Sequence, residues 1–216
     1  MTFPRSARRA ASLAFSLLSA VLVACTNSDP TEPPALTPTV GDTSLTVNML
    51  EPAADAPAIA NPVVTFWAVK GEFREANMYY RSRPGRADSV EFVRFRVPQQ
   101  ALLTRPGGAG FADGDSVQIT ITLVDPARLI VRFEPSGLLF DPAHPADLKF
   151  SFHETDDDLD DDGSVDGDDA LFRTLLTVWR RETPSAPWLR QSSQLIVATD
   201  EIETDVLGFT DYIIAW

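Results

Sequence analysis

From Ser44 onward the chain runs in short apolar alternations separated by turn residues, and alternation with period two is the mark of half-buried β-strands. Val93, Phe95 and Val97 alternate with Arg94 and Arg96, which places the apolar three on one face and the arginines on the other. Val117, Ile119, Ile121 and Leu123 do the same against Gln118, Thr120 and Thr122. After the Asp125-Pro126 turn, Leu129, Val131 and Phe133 form another inward row, and Leu148, Phe150 and Phe152 a further one. Weaker strand patterns cover Thr65 to Val69 and Met78 to Arg81. Near the C-terminus Phe209, Tyr212, Ile213, Ile214 and Trp216 are apolar on both faces, which predicts a central strand between covered layers. The pattern predicts an all-β fold, an antiparallel β-sandwich over residues 43–216. An acidic loop interrupts it at 156–169, and Ala170 to Leu176 is read as a short helix leaving that loop.

The first 42 residues lack this pattern. Arg5, Arg8 and Arg9 precede an apolar run from Ala10 to Ala24 that is short for a bilayer span, so residues 1–24 read as a signal peptide. Residues 25–42 are rich in proline and threonine and poor in apolar side chains, the composition of a disordered tether. Leu22-Val23-Ala24-Cys25 resembles the bacterial lipobox, which implies that Cys25 becomes the lipid-modified first residue of the mature protein. With Thr26 rather than aspartate after the cysteine, the resemblance implies a bacterial outer-membrane lipoprotein of the cell envelope. Cys25 is the only cysteine, so no intramolecular disulfide is expected.

Composition narrows the function. A hydrophobic fraction of 44% is enough for a real core. The formal charge of −13 becomes more negative still without the leader's arginines, which argues against nucleic acid as a partner. His144 and His153 have no companion motif: there is no G-x-S-x-G, no H-E-x-x-H and no glycine-rich phosphate loop. Glu134, Asp141 and Asp147 read as carboxylates in turns, and a catalytic role is not expected for them. Trp179, Trp188 and Trp216 read as core or strand-face aromatics. A carbohydrate-binding alternative would use Trp179 or Trp188 for stacking, and a small hydrolase is a third alternative.

The acidic loop carries the most specific spacing. Counted from Asp158, Asp158, Asp160 and Asp162 fall at positions 1, 3 and 5, Gly163 at 6, Ser164 at 7, Val165 at 8, Asp166 at 9 and Asp169 at 12. This is the register of an EF-hand-like calcium loop: oxygen ligands at 1, 3 and 5, a glycine for the sharp turn, a backbone carbonyl at 7, and an acid at 12. It resembles the single loop of dockerins and thrombospondin-like repeats, which also close with aspartate. The expected ligands of a Ca2+ ion are Asp158, Asp160, Asp162, Ser164, Asp166 and Asp169, with Val165 as a small apolar anchor. Asp156, Asp157, Asp161 and Asp168 leave open the reading of a hydrated acidic spacer. Only one such loop is present, so a dockerin's partner is not implied.

Three further pieces resemble the ZU-type domain of ankyrins, netrin receptors and bacterial surface proteins. They are Val97-Pro98-Gln99-Gln100-Ala101-Leu102; Phe133-Glu134-Pro135-Ser136-Gly137-Leu138-Leu139-Phe140 with Pro145 and Leu148; and the closing Gly208-Phe209-Thr210-Asp211-Tyr212-Ile213-Ile214-Ala215-Trp216. The resemblance covers about residues 90–216 and implies a ZU-like sandwich. Some members cleave themselves with the help of a histidine where Gly208 stands, so no self-cleavage is expected at Thr210. The resulting expectation is a membrane-anchored, non-catalytic, calcium-stabilised structural or binding module whose partner is a surface protein or glycan.

Overall fold

The computed structural model describes residues 47–85 and 89–216, all within the compact unit Leu45–Trp216. The expected signal peptide, Cys25 and the expected tether lie outside the described residues. Thirteen strands form around alternating apolar positions, and one helix of any length, α1 (Gly167–Leu175), interrupts them among the described residues.

Two antiparallel sheets face each other. The first has six strands in the order β1 (Val63–Val69), β5 (Ser116–Asp125), β6 (Ile130–Glu134), β13 (Asp211–Ala215), β9 (Thr177–Arg181), β10 (Leu189–Arg190). The second has five: β11 (Ser193–Ile196), β12 (Glu201–Val206), β8 (Ala146–Ser151), β3 (Glu91–Val97), β2 (Arg74–Tyr79). A two-stranded ribbon of β4 (Leu102–Thr104) and β7 (Leu139–Phe140) lies apart from both. The fold is an all-β antiparallel sandwich.

Its centre is Phe95 of β3, whose ring packs across the sandwich on Phe133 of β6 at 4.9 Å and on Phe209 at 5.7 Å. Phe140 closes on Phe209 at 5.2 Å, so Phe133, Phe140 and Phe209 join one cluster with Val97 buried in the same core. β13 is buried on both faces. Tyr212 and Ile214 point into this core, while Ile213 and Ala215 join Ile130 and Trp179 in a second cluster, with Val47 and Met49 packed against it. β6 pairs with β13 only at Asp211 and Tyr212. Beyond them Asn48 and Trp216 exchange backbone bonds at 3.3 and 3.1 Å and Leu50 donates to Ile214 at 3.1 Å, so the start of the sandwich secures its end.

Some local expectations change in three dimensions. Leu129 is buried but sits in a turn at φ 53°, just before β6 rather than in it. Phe92 is as buried as its neighbour Val93, because the ladder shifts register beside Tyr79 and lets its ring meet Tyr80 and Phe150. β2 ends at Tyr79, so Arg81 lies outside it. Asp147 belongs to strand β8 and Glu134 to the end of β6, not to turns. The helix starts at Gly167, three residues earlier than expected, because Asp166 caps it.

Candidate metal centre

The acidic loop leaves the sandwich after β8 and is tied down at both ends. Thr155 bridges to Pro52, and Asp156 donates its backbone N–H to the Glu51 carbonyl at 2.9 Å. At the exit, the Asp166 side chain accepts from the Asp168 amide at 2.8 Å and Asp169 accepts from the Asp166 amide at 2.7 Å. This reciprocal pair is a capping box, with acids at the helix N-terminus where the dipole favours them. Arg173 then bonds Asp157 at 2.7 Å and Asp200 at 2.6 Å while lying over the Phe152 ring.

Between these ends the chain winds around its own carboxylates. Asp158 accepts from the amides of Asp162 at 3.2 Å and Gly163 at 2.9 Å, and Asp162 accepts from the Ser164 amide at 2.8 Å. Gly163 adopts φ 89°, a region that side-chain-bearing residues rarely enter, although a Cβ there would touch nothing. As a result, oxygens of Asp158, Asp160 and Asp162 all come within 4.8 Å of one another. Desolvation and the charges of Asp162, Asp169 and Asp158 hold Asp160 above the usual carboxylate range, against a pull from the Asp162 amide. Three hard, anionic oxygen donors at positions 1, 3 and 5 suit a calcium-type cation by donor chemistry.

The other expected ligands have further roles. Asp169 is buried, and its oxygens accept from Leu159 at 2.6 Å as well as from Asp166. Those backbone donors, the Asp166 amide foremost, hold its carboxyl below the usual range. Asp166 caps the helix, and Ser164 meets Asp162 through its amide. Val165 is 67% exposed and anchors nothing; the buried apolar residue of the loop is Leu159. A single leucine inside an aspartate run was the available signal for that peg. The loop borders an open groove of about 590 Å³ whose lining includes Asn48, Leu50, Asp156, Asp158, Asp160 and Trp216.

Of the remaining candidates, Trp216 lines this groove and His153 shares Asp200 with Arg173, while the others hold bonds elsewhere. Trp179 is buried with its indole N–H on the Ala215 carbonyl at 3.2 Å, and Trp188 lies under the Arg181 guanidinium at 4.5 Å. His144 is beside Asp141 and His153 beside Asp200, each at 3.3 Å. Thr210 is buried and bonds the Asp211 carbonyl. Gly208 bridges to Leu139, where an added Cβ would meet the Leu138 carbonyl at 3.4 Å. Sequence reading missed two ion-pair centres assembled from distant strands: Asp211 between Arg132 and Arg181, and buried Lys149 between Glu91 and Glu201. No local spacing signals either one.

Fold and loop define an antiparallel β-sandwich with one acidic, helix-capped loop. No protein family matches the chain, and neither curated proteins nor solved structures give a match. No helix among the described residues is long and apolar enough to cross a membrane.

Proposed function

We propose that this chain is a lipoprotein of the bacterial cell envelope, held to the outer membrane through Cys25. Its ZU-like sandwich acts as a non-catalytic structural or binding module stabilised by calcium. The observation that carries the calcium reading is the convergence of Asp158, Asp160 and Asp162 in a loop whose exit helix is already capped. A cation held there by these three, with the Ser164 carbonyl, Asp166 and Asp169 completing the oxygen set, would offset their mutual repulsion and stiffen the loop against the helix. Calcium supplies structure in this reading and no reaction step. His144 bonds Asp141, which also accepts from the Ala143 amide, and His153 bonds Asp200, structural roles in keeping with a non-catalytic module.

Titration calorimetry and thermal melting of the full chain test the calcium reading. Saturable uptake should raise the melting temperature, since ligand at about 100 times its dissociation constant adds roughly 2.7 kcal/mol. Asp158→Ala with Asp162→Ala should remove that shift and leave the apo protein folded. No saturable uptake at millimolar calcium would reduce the loop to an acidic spacer. Membrane fractionation of Cys25→Ser tests the anchor separately: release of the protein is expected, and unchanged fractionation would refute it.

A further inference from the structure

Of the four outer edges of the two large sheets, three carry features that discourage pairing with another chain. β10 has two residues, one of them Arg190, and β11 has four. β2 carries Arg74 and Glu75 and a register shift between Met78 and Tyr79. β1 has none of these protections. Its seven residues, VVTFWAV, include no charge and no proline, and they pair with β5 without a shift.

The bonds flanking that ladder show which backbone groups face outward. Leu123 donates to Pro62 and Lys70 to Asp115, both at 2.8 Å, and these pairs continue the register one step beyond each end of the ladder. Bonded pairs alternate in an antiparallel ladder, so Val64, Phe66 and Ala68 bond β5, while Val63, Thr65, Trp67 and Val69 turn their groups away. The Val69 carbonyl is taken by the Glu72 amide. Among the described residues, nothing takes the amides and carbonyls of Val63, Thr65 and Trp67. The same residues carry exposed side chains, with Val63 54% and Trp67 56% accessible.

We infer that β1 is a self-pairing edge, on which a second copy of this chain docks its own β1 antiparallel about a two-fold axis at Thr65. The free groups are symmetric about Thr65, so Val63 meets the partner's Trp67, Thr65 meets the partner's Thr65, and each pair exchanges two backbone bonds. The pairing sets both exposed apolar side chains against each other. A chain carrying −13 can meet a second copy only where the contact adds no like-charge pair, and this uncharged strand meets that condition. Because the other three edges are protected, pairing closes at a dimer and does not propagate.

Sedimentation velocity of the full-length chain in mild detergent, over a concentration series, reads the association directly. Wild type should form a dimer. Thr65→Lys places two lysines face to face at the axis and should move the midpoint at least about tenfold higher in concentration, a change of about 1.4 kcal/mol. Gln118→Lys, opposite Trp67 on the inner neighbour β5, should leave the midpoint unchanged. Bonded antiparallel partners have Cα atoms about 5.5 Å apart, within disulfide range, so Thr65→Cys in a Cys25→Ser background should form a covalent dimer on mild oxidation. This cross-link decides alone if circular dichroism shows Thr65→Lys unfolded. A chain that stays monomeric, a dimer indifferent to folded Thr65→Lys, or no cross-link would each overturn the inference. So would a monomer with exchange-protected amides at Val63, Thr65 and Trp67, which would mean that the chain's own residues occupy the edge. A monomer that instead binds an added VVTFWAV peptide from solution would also overturn the two-fold pairing.

Discussion

The backbone amide of Leu159 donates to Oδ1 of Asp169 at 2.6 Å, so the start of the acidic loop hangs on the first turn of its exit helix. Asp169 therefore supports the fold before any cation is considered. Asp169→Ala should cost about 1–2 kcal/mol with a chelator present, through the lost cap and the amides left without a partner. Asp160→Ala should cost little under the same conditions, because it relieves repulsion among the acids, but it should weaken any calcium-induced shift. Melting both variants with chelator and with calcium separates the roles. An apo Asp169→Ala protein as stable as wild type would show the cap to be inert.

Asp211 sets a pH dependence. Arg132 reaches its two oxygens at 2.7 and 3.1 Å, and Arg181 reaches it at 3.0 Å. Burial pushes this carboxyl up, but the bonds and charges of the two guanidiniums pull it further down. A depressed carboxyl contributes stability above the ordinary aspartate pKa of about 3.9 and loses it as pH falls through the folded value. Asp211→Asn should therefore cost roughly 2–4 kcal/mol at neutral pH, with the gap closing toward strong acid. Denaturant titrations of both proteins across pH check it, and a gap that stays constant would refute it.

Asp147 should behave in the opposite sense. It lies in β8 with Oδ1 buried and unpartnered, and burial, then Glu203, raise its carboxyl despite Arg96 and Arg94. Stability from a raised carboxyl is complete below the ordinary aspartate pKa and is lost as pH rises through the folded value. Asp147→Asn should stabilise by about 1 kcal/mol at neutral pH and make little difference in acid. A neutral-pH melting temperature below that of wild type would contradict this.

The last strand is expected to be indispensable. β13 is fourth of six strands and buried along its whole length, so truncation after Gly208 opens both clusters and leaves β6 and β9 without their shared partner. The product should be insoluble or protease-sensitive, and a soluble, resistant one would refute this. Ile213→Ala, at a fully buried position of the second cluster, should cost about 2–4 kcal/mol in denaturant melts of the otherwise intact chain.

Much of the sandwich was legible because β alternation is a local property: Val93, Phe95 and Val97, or Ile119 and Ile121, show their buried face within a few residues. The doubly apolar end of the chain likewise indicated a strand covered on both sides. The loop's register was readable for the same reason, since Asp158, Asp160, Asp162 and Gly163 are set by spacing along one turn of chain. What the loop does with them was not. That Val165 faces solvent, that Leu159 is the peg and that Asp169 serves as a cap depend on where the helix docks. Arg132, Arg181 and Asp211 meet only because β6, β13 and β9 become neighbours, and strand order has no local signature. The same alternation serves a central strand and an edge, so the open edge of β1 is a property of the assembled sheet alone.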